Sequence, residues 1–155
     1  MDIQLFVPCE QNPCFDFRLS GGDLLTRNEL NNAVMISLFT DRRAKDDDIL
    51  PRGQTDRRGY WADALDGEEI GSRLWLLYDE RRLRKTLLRA EEYAKEALQW
   101  LISDKVVKSI NITASSDARC ATLFLDVNVC RPDGQSEQFK FQYVWDDIQS
   151  SGCIN

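Results

Sequence analysis

Histidine does not occur among the 155 residues of this chain. Its absence removes Ser-His-Asp and Cys-His nucleophile chemistry outright, together with the commonest metal ligand. Cysteine is present but badly arranged for a site: Cys9, Cys14, Cys120, Cys130 and Cys153 form an odd set with no Cys-x-x-Cys pair. A zinc site would have to gather scattered thiolates and carboxylates, so neither a metal nor another cofactor is expected, and reduced thiols in a cytosol fit the pattern. Long apolar runs are missing as well. No stretch approaches the roughly 20 apolar residues of a membrane span, and Met1-Asp2-Ile3-Gln4 lacks the basic and then apolar character of a secretory signal. Positive charge is scarce: 20 Lys and Arg face 26 Asp and Glu, a formal balance of −6. A surface of that sign repels phosphate backbones, which argues against nucleic acid as a partner. The local exception, Arg81, Arg82, Arg84, Lys85 and Arg89, reads as the solvated face of a helix.

What is present suits a globular protein, with 43% hydrophobic and 30% charged residues. One domain over residues 1–155 would bury roughly 70% of the unfolded chain's surface, enough for a core without staples. Residues 1–19 read as an extended segment, in which the runs Ile3–Val7 and Phe15–Leu19 are broken by Pro8, Asn12 and Pro13. After Ser20-Gly21-Gly22, the spacing of Thr26 and Glu29 is that of a capping box and starts a helix over Glu29–Phe39. Leu30, Ala33, Val34 and Leu38 recur at helical spacing, and Met35, Ile36 and Phe39 widen the stripe until this helix is apolar almost all round. It is therefore central. A second helix, Thr86–Ser103, carries Leu87, Ala90, Ala94, Ala97, Leu98 and Leu101 in one stripe, with Leu88 and Ile102 at its margins. Trp100 lies toward its outer side as a half-buried cover.

Three strands follow, from about Val106, Arg119 and Gln138. Alternation puts Ile110, Ile112 and Ala114 on one face of the first, and Ala121, Leu123, Leu125, Val127 and Val129 on one face of the second. The third alternates Phe139, Phe141, Tyr143 and Trp145 against Lys140 and Gln142. Arg131-Pro132-Asp133-Gly134 supplies the turn between the last two. The fold class is α+β: helices packed on one face of a three-stranded antiparallel meander, with residues 146–155 as a loose tail.

Between the first helix and the second runs a long irregular connection, Asp41 to Gly71, and connections of that length are functional or disordered. Its aromatics favour order from about Arg57 onward, with a mobile stretch across Lys45–Asp48. Asp46, Asp47 and Asp48 lack the alternate ligands and central Gly of a calcium loop and read as a solvated acidic turn. Ser72 can cap a short helix over Arg73–Tyr78. From Asp56 to Leu77 the chain crowds Tyr60, Trp61 and Trp75 beside Arg57, Arg58 and Arg73. Such neighbours offer stacking, cation–π attraction and forked donors, the chemistry of interface hot spots. The same residues also suit a loop pinned by its aromatics to its own core.

Ala33 to Ala44, Asp56-Arg57-Arg58-Gly59-Tyr60-Trp61, Gly71 to Leu77, Ala97 to Ile102 and Arg131-Pro132-Asp133-Gly134 together resemble the Mu-type phage and prophage tail proteins of the baseplate. That family is distantly similar to the T-even phage wedge subunit on which the contractile sheath starts, and to its counterpart in type VI secretion baseplates. The resemblance covers Asp16 to Trp145. It implies a non-enzymatic structural protein of the virion tail, made in the bacterial host cytoplasm, packed in the baseplate wedge and donating sheet edge to the first sheath subunits. The implied partners are other baseplate subunits and the tail sheath protein, with self-association possible in isolation. T-even relatives carry Glu-Pro-Arg between the long helix and the first strand, a motif implicated in docking to the wedge core. This chain has Ser103-Asp104-Lys105 there, so Arg57, Arg58 and Trp61 are expected to take over part of that contact. The expected partner-binding set is Arg57, Arg58, Tyr60, Trp61, Arg73, Trp75, Asp104 and Lys105; if Arg57, Arg58 and Trp61 are anchors, at least one should be accessible in the isolated chain.

The competing class is a muramidase, which needs two carboxylates at a set separation, one of them held neutral by an apolar pocket. Glu68 or Glu69 with Asp63 beside Trp61 is the best pair on offer, and its spacing is equally that of a solvated loop. A cytosolic adaptor unrelated to phages would share the fold.

Overall fold

The computed structural model describes residues 5–6, 16–17, 19–20, 23–24, 29–67, 69–78, 84–117 and 122–144. At the N-terminal side, Leu5–Phe6 (β1) pairs antiparallel with Asp16–Phe17 (β2), and Leu19–Ser20 (β3) with Asp23–Leu24 (β4). The first helix, α1, spans Glu29–Phe39 as its apolar spacing predicts. Thr26 of the expected capping box, Arg81, Arg82, Ala121, Trp145 and the tail 146–155 lie outside the described residues.

Burial around α1 is not simply apolar inside and polar outside. Leu30, Val34, Met35 and Leu38 face the core, yet Asn32 and Ser37 are buried too, while Ile36 is 48% exposed. The expected helix over Arg73–Tyr78 is a 3₁₀ turn, Leu74–Leu77, whose four residues are all buried. Apolar side chains at all four positions leave no solvated face, so the segment serves as a plug. The connection before it holds two short elements that periodicity did not reveal: a 3₁₀ turn at Pro51–Gly53 and a one-turn helix, α2, at Asp63–Asp66 closed by Gly67.

The long helix, α3, spans Arg84–Ser103 and buries Ala90, Ala94, Ala97, Leu98 and Leu101 on the expected stripe, with Thr86 and Tyr93 added. It ends on Lys105 at φ 58, after which Val107 N–H donates to the Leu101 carbonyl at 3.1 Å and the chain turns into the sheet. The strands are β5 (Ser109–Asp117), β6 (Thr122–Cys130) and β7 (Ser136–Val144), antiparallel in the order β5-β6-β7. β5 begins later than expected because Val106 and Val107 belong to the helix-to-strand turn. β7 begins earlier because the turn closes at once, with Gly134 N–H on the Arg131 carbonyl at 3.0 Å and Arg131 N–H on the Gln135 carbonyl at 2.8 Å. Gly134 takes φ +86, the left-handed position the turn reserves for glycine.

Register puts Ile112 opposite Val127 and Leu125 opposite Phe141, so one face carries the buried residues Ile112, Ala114, Leu123, Leu125, Val127 and Phe141. Helices α1 and α3 lie on that face, and Phe39 of α1 meets Phe141 edge-on at 5.5 Å. The other face presents Asn111, Thr113, Asn128 and Lys140. No described helix is long and apolar enough to cross a membrane.

Candidate functional site

The site is built where α1 ends. Ser72 lies beside Asp41 in a parallel bridge, with Arg42 N–H donating to the Ser72 carbonyl at 3.0 Å and Ser72 N–H to the Thr40 carbonyl at 2.9 Å. The Ser72 hydroxyl donates to the Leu38 carbonyl at 2.5 Å and accepts Leu74 N–H at 3.4 Å, so this serine fixes the start of the 3₁₀ turn. On the other side Ala44 N–H donates to the Arg57 carbonyl at 2.9 Å. Three sequence segments, around residues 41–44, 57–59 and 71–73, therefore lie side by side. Gly71 makes this approach possible: its φ is +100, and a Cβ there would strike the Thr40 carbonyl. Gly59, at φ +112, would bring a Cβ to 3.0 Å from that of Arg43.

The two neighbouring arginines hold the loop together. Arg58 sits over the Trp75 ring at 4.5 Å and ion-pairs with Asp41 at 2.7 Å. Trp75 is only 1% exposed, and its indole N–H donates to the Arg42 carbonyl at 2.8 Å. Within the isolated chain this ring is core, and Arg58 is its cover. Arg57 donates from Nη1 to the Lys45 carbonyl and from Nη2 to the Asp46 carbonyl at 3.2 Å, which straps the acidic turn. Outward from this frame, Tyr60 and Trp61 pack together with ring centroids 5.6 Å apart, and Trp61 is 74% exposed. Leu65 of α2 is exposed beside them in sequence. The Tyr60–Leu65 turn is set by Asp63, whose Oδ2 accepts Tyr60 N–H at 3.3 Å while Oδ1 accepts Ile70 N–H at 3.1 Å.

Arg73 points elsewhere. Its guanidinium lies over the Tyr93 ring at 4.5 Å and bridges two carboxylates, Asp48 at 3.0 Å and Glu96 at 2.7 Å. Lys45 Nζ adds a second contact to Glu96 at 3.2 Å. The Arg73 and Asp48 side chains are 11% and 10% exposed, so Asp48 is no solvated carboxylate, whereas Asp46 and Asp47 are exposed as expected. Burial alone would raise the Asp48 carboxyl; the Lys45 N–H and the Arg73 guanidinium outweigh it and hold it below the ordinary range. For Glu96 burial again pushes upward, and hydrogen bonds from Arg73 and Lys45 bring the net shift down. Arg73 moves up, because its bonds to Glu96 and Asp48 overcome the burial that opposes its charge.

Asp104 and Lys105 lie apart from the loop, at the exposed end of α3, where Asp104 N–H donates to the Trp100 carbonyl at 2.8 Å. Between them and the loop runs a cleft that residue patterns did not announce. Ile36, Ile70 and Trp100 line it with Arg42, Glu69 and Asp104. The one readable hint was Ile36, which exceeded the stripe that α1 needed for the core.

The carboxylates offered for glycoside hydrolysis are spent on structure. Both oxygens of Asp63 accept backbone N–H bonds, and Glu69 Oε2 accepts two N–H bonds from Arg42 at 2.9 and 2.8 Å. Glu68 lies outside the described residues. Among the described residues no group of His, Cys, Asp and Glu is placed to hold a metal ion.

Residues 30–136 match the family model described as Phage protein GP46. The chain is 43% identical over 133 residues to the protein of Escherichia phage Mu named Baseplate protein gp46, covering 86% of this chain and 91% of that one. It is 39% identical over 131 residues to the Mu-like prophage FluMu protein gp46 of Haemophilus influenzae, covering 84% and 89%. The matched region holds both main helices, the clipped loop and most of the sheet, and on that evidence the chain belongs to the phage GP46 family.

Proposed function

We propose that this chain is a structural, non-enzymatic subunit of the contractile tail baseplate of a Mu-like phage or prophage. It packs among other wedge subunits through the face carrying Tyr60, Trp61 and Leu65, with Asp104 and Lys105 as a second contact. The observation that carries this reading is Trp61, 74% exposed on a loop whose backbone is fixed on both sides by hydrogen bonds. A large ring displayed by an ordered frame has the character of an interface anchor. The name of the phage Mu relative as a baseplate protein supports the setting; in this reading the protein works in the virion tail after synthesis in the host cytoplasm. Arg57, Arg58 and Arg73 then serve as frame, holding the display from behind. Exposed Trp61 and Leu65 also favour self-association of the isolated protein.

Sheath initiation uses a sheet edge in the same reading. The outer edge of β5 is partly taken, because Glu91 of α3 accepts Ala114 N–H at 2.9 Å. β7 is the terminal strand of the described sheet on the other side, so strand addition by the sheath protein is assigned to β7.

The test is Trp61→Ala in a Mu-like prophage lacking its own copy. The unfolding midpoint should move by about 1 °C or less, since the ring covers little core, and incorporation into purified tails should fall roughly 30-fold, as for loss of a hot spot. A protein that loses stability while its survivors assemble normally would show that Trp61 belongs to the fold and not to a partner.

A further inference from the structure

The cleft between α1 and α3 has a volume of about 660 Å³, and its walls are unlike a catalytic pocket. Ile36 is 48% exposed, Trp100 43% and Ile70 37%, three large apolar side chains converging from two helices and the loop. The floor is small, formed by Ala33, Ser37, Gly71 and Ala97. Its polar groups are already matched. Trp100 Nε1–H donates to the Ser37 hydroxyl at 2.9 Å, and Glu96 is held by Arg73 and Lys45. A floor with its hydrogen bonds made internally has nothing to offer a polar small molecule, and an apolar surface loses by staying in water.

The rim carries one ion pair and one further carboxylate. Arg42 is engaged by Glu69, but both of its N–H bonds fall on Oε2, and Glu69 Oε1 has no partner among the described residues. Asp104 at the other end has none there either, and the neighbouring Lys105 does not line the cleft. Arg42 and Glu69 offset each other, so the uncompensated charge at the rim is the Asp104 carboxylate. The walls also favour one kind of occupant backbone. α1 and α3 use their own N–H and C=O groups internally, so an extended strand laid between them would find no backbone partners, whereas a helix brings its own.

We propose that the α1–α3 cleft is a docking site for one amphipathic helix of a partner protein, inserting an aliphatic ridge between Ile36, Ile70 and Trp100. Lysine or arginine flanking that ridge would meet Asp104. The proposal adds a surface separate from the Trp61 loop and stands whether or not the baseplate reading does.

The test uses the full chain and two synthetic helical peptides sharing one leucine ridge at i, i+4, i+7 and i+11, flanked by lysines in one and glutamates in the other. The indole N–H resonances report directly, with the Trp100 signal assigned by Trp100→Phe. Titration with the lysine peptide should shift the Trp100 signal and leave that of Trp75 in place. The glutamate peptide should bind more weakly, and Asp104→Lys should cut the lysine peptide's affinity about two- to fivefold, the range for an exposed charge pair. Ile36→Glu, at an exposed position that should leave the fold intact, should abolish the shift while far-ultraviolet circular dichroism stays that of the parent. No movement of the Trp100 signal at millimolar peptide, movement confined to Trp61, or equal affinity for both peptides would each overturn the assignment. Those outcomes bear on the cleft alone, because the baseplate reading is tested separately by tail incorporation.

Discussion

Replacing Arg73 by alanine tests how the loop is held, because this one guanidinium connects the acidic turn, the 3₁₀ plug and α3. Breaking a fully buried ion pair by removing one partner costs about 3–5 kcal/mol, and an exposed pair contributes about 0.2–1 kcal/mol. Arg73 and Asp48, at 11% and 10% exposed, sit near the buried limit; Glu96, at 30%, keeps Lys45 after the substitution. The expected loss is therefore about 2–3 kcal/mol. For a chain of this size that lowers the thermal midpoint by roughly 5–10 °C at neutral pH, read by circular dichroism. Arg73→Lys should fall between, since it keeps the charge and loses the fork and the stacking on Tyr93. The pH dependence gives a second readout. Asp48 and Glu96 are both held below their ordinary range, so their contribution is complete above the unfolded pKa and is lost as the pH falls through the folded one. Arg73 is raised, and its share would be lost only in strong alkali. The gap between wild type and Arg73→Ala should consequently be widest at neutral pH and narrow as the pH falls from about 5 toward 3. A midpoint within about 1 °C of wild type, with an unchanged acid slope, would mean that the network is incidental to stability.

Two further substitutions address the clip and the muramidase alternative. Gly71→Ala combines a positive φ with a collision on the Thr40 carbonyl, so it should cost at least about 2 kcal/mol and loosen the loop, seen as faster amide exchange at Arg42 and Ser72. Purified protein should release no soluble fragments from peptidoglycan, and Glu69→Gln should leave tail incorporation intact; lysis abolished by that substitution would reopen the muramidase reading.

The α+β class and the main elements were legible because each follows from a period that a single face imposes. Ala90, Ala94 and Ala97 mark where α3 meets its neighbours, and Leu123 to Val129 alternate because only one side of β6 is covered. What could not be read was which member of a mixed cluster turns inward. Trp61 and Trp75 each follow an arginine and a glycine by a few residues. They part because Trp75 sits in an apolar turn, Leu74–Leu77, that must be buried whole, and its indole N–H finds the Arg42 carbonyl there. Trp61 has no such neighbours.

The arginines divide by the same logic. Each was expected at a partner surface, and each is satisfied within the chain: Arg57 by the carbonyls of Lys45 and Asp46, Arg58 by Asp41 and the Trp75 ring, Arg73 by Asp48 and Glu96. Those partners come from positions at least 11 residues away in the chain, where no local pattern reaches, so sequence spacing could present the arginines only as charge beside aromatics. Their role follows from an energetic asymmetry. A loop this long costs conformational entropy to order, and its backbone clips act mainly where the segments meet. Guanidinium groups reach across the gaps between those clips with several donors each, holding carbonyls and carboxylates that would otherwise return to water. The frame is thereby stiff enough to keep Trp61 outside, where an unrestrained loop would fold the ring back onto the apolar surface nearby. In this chain the arginines make an exposed tryptophan sustainable, and on the proposed reading the accessible ring is what another baseplate subunit covers.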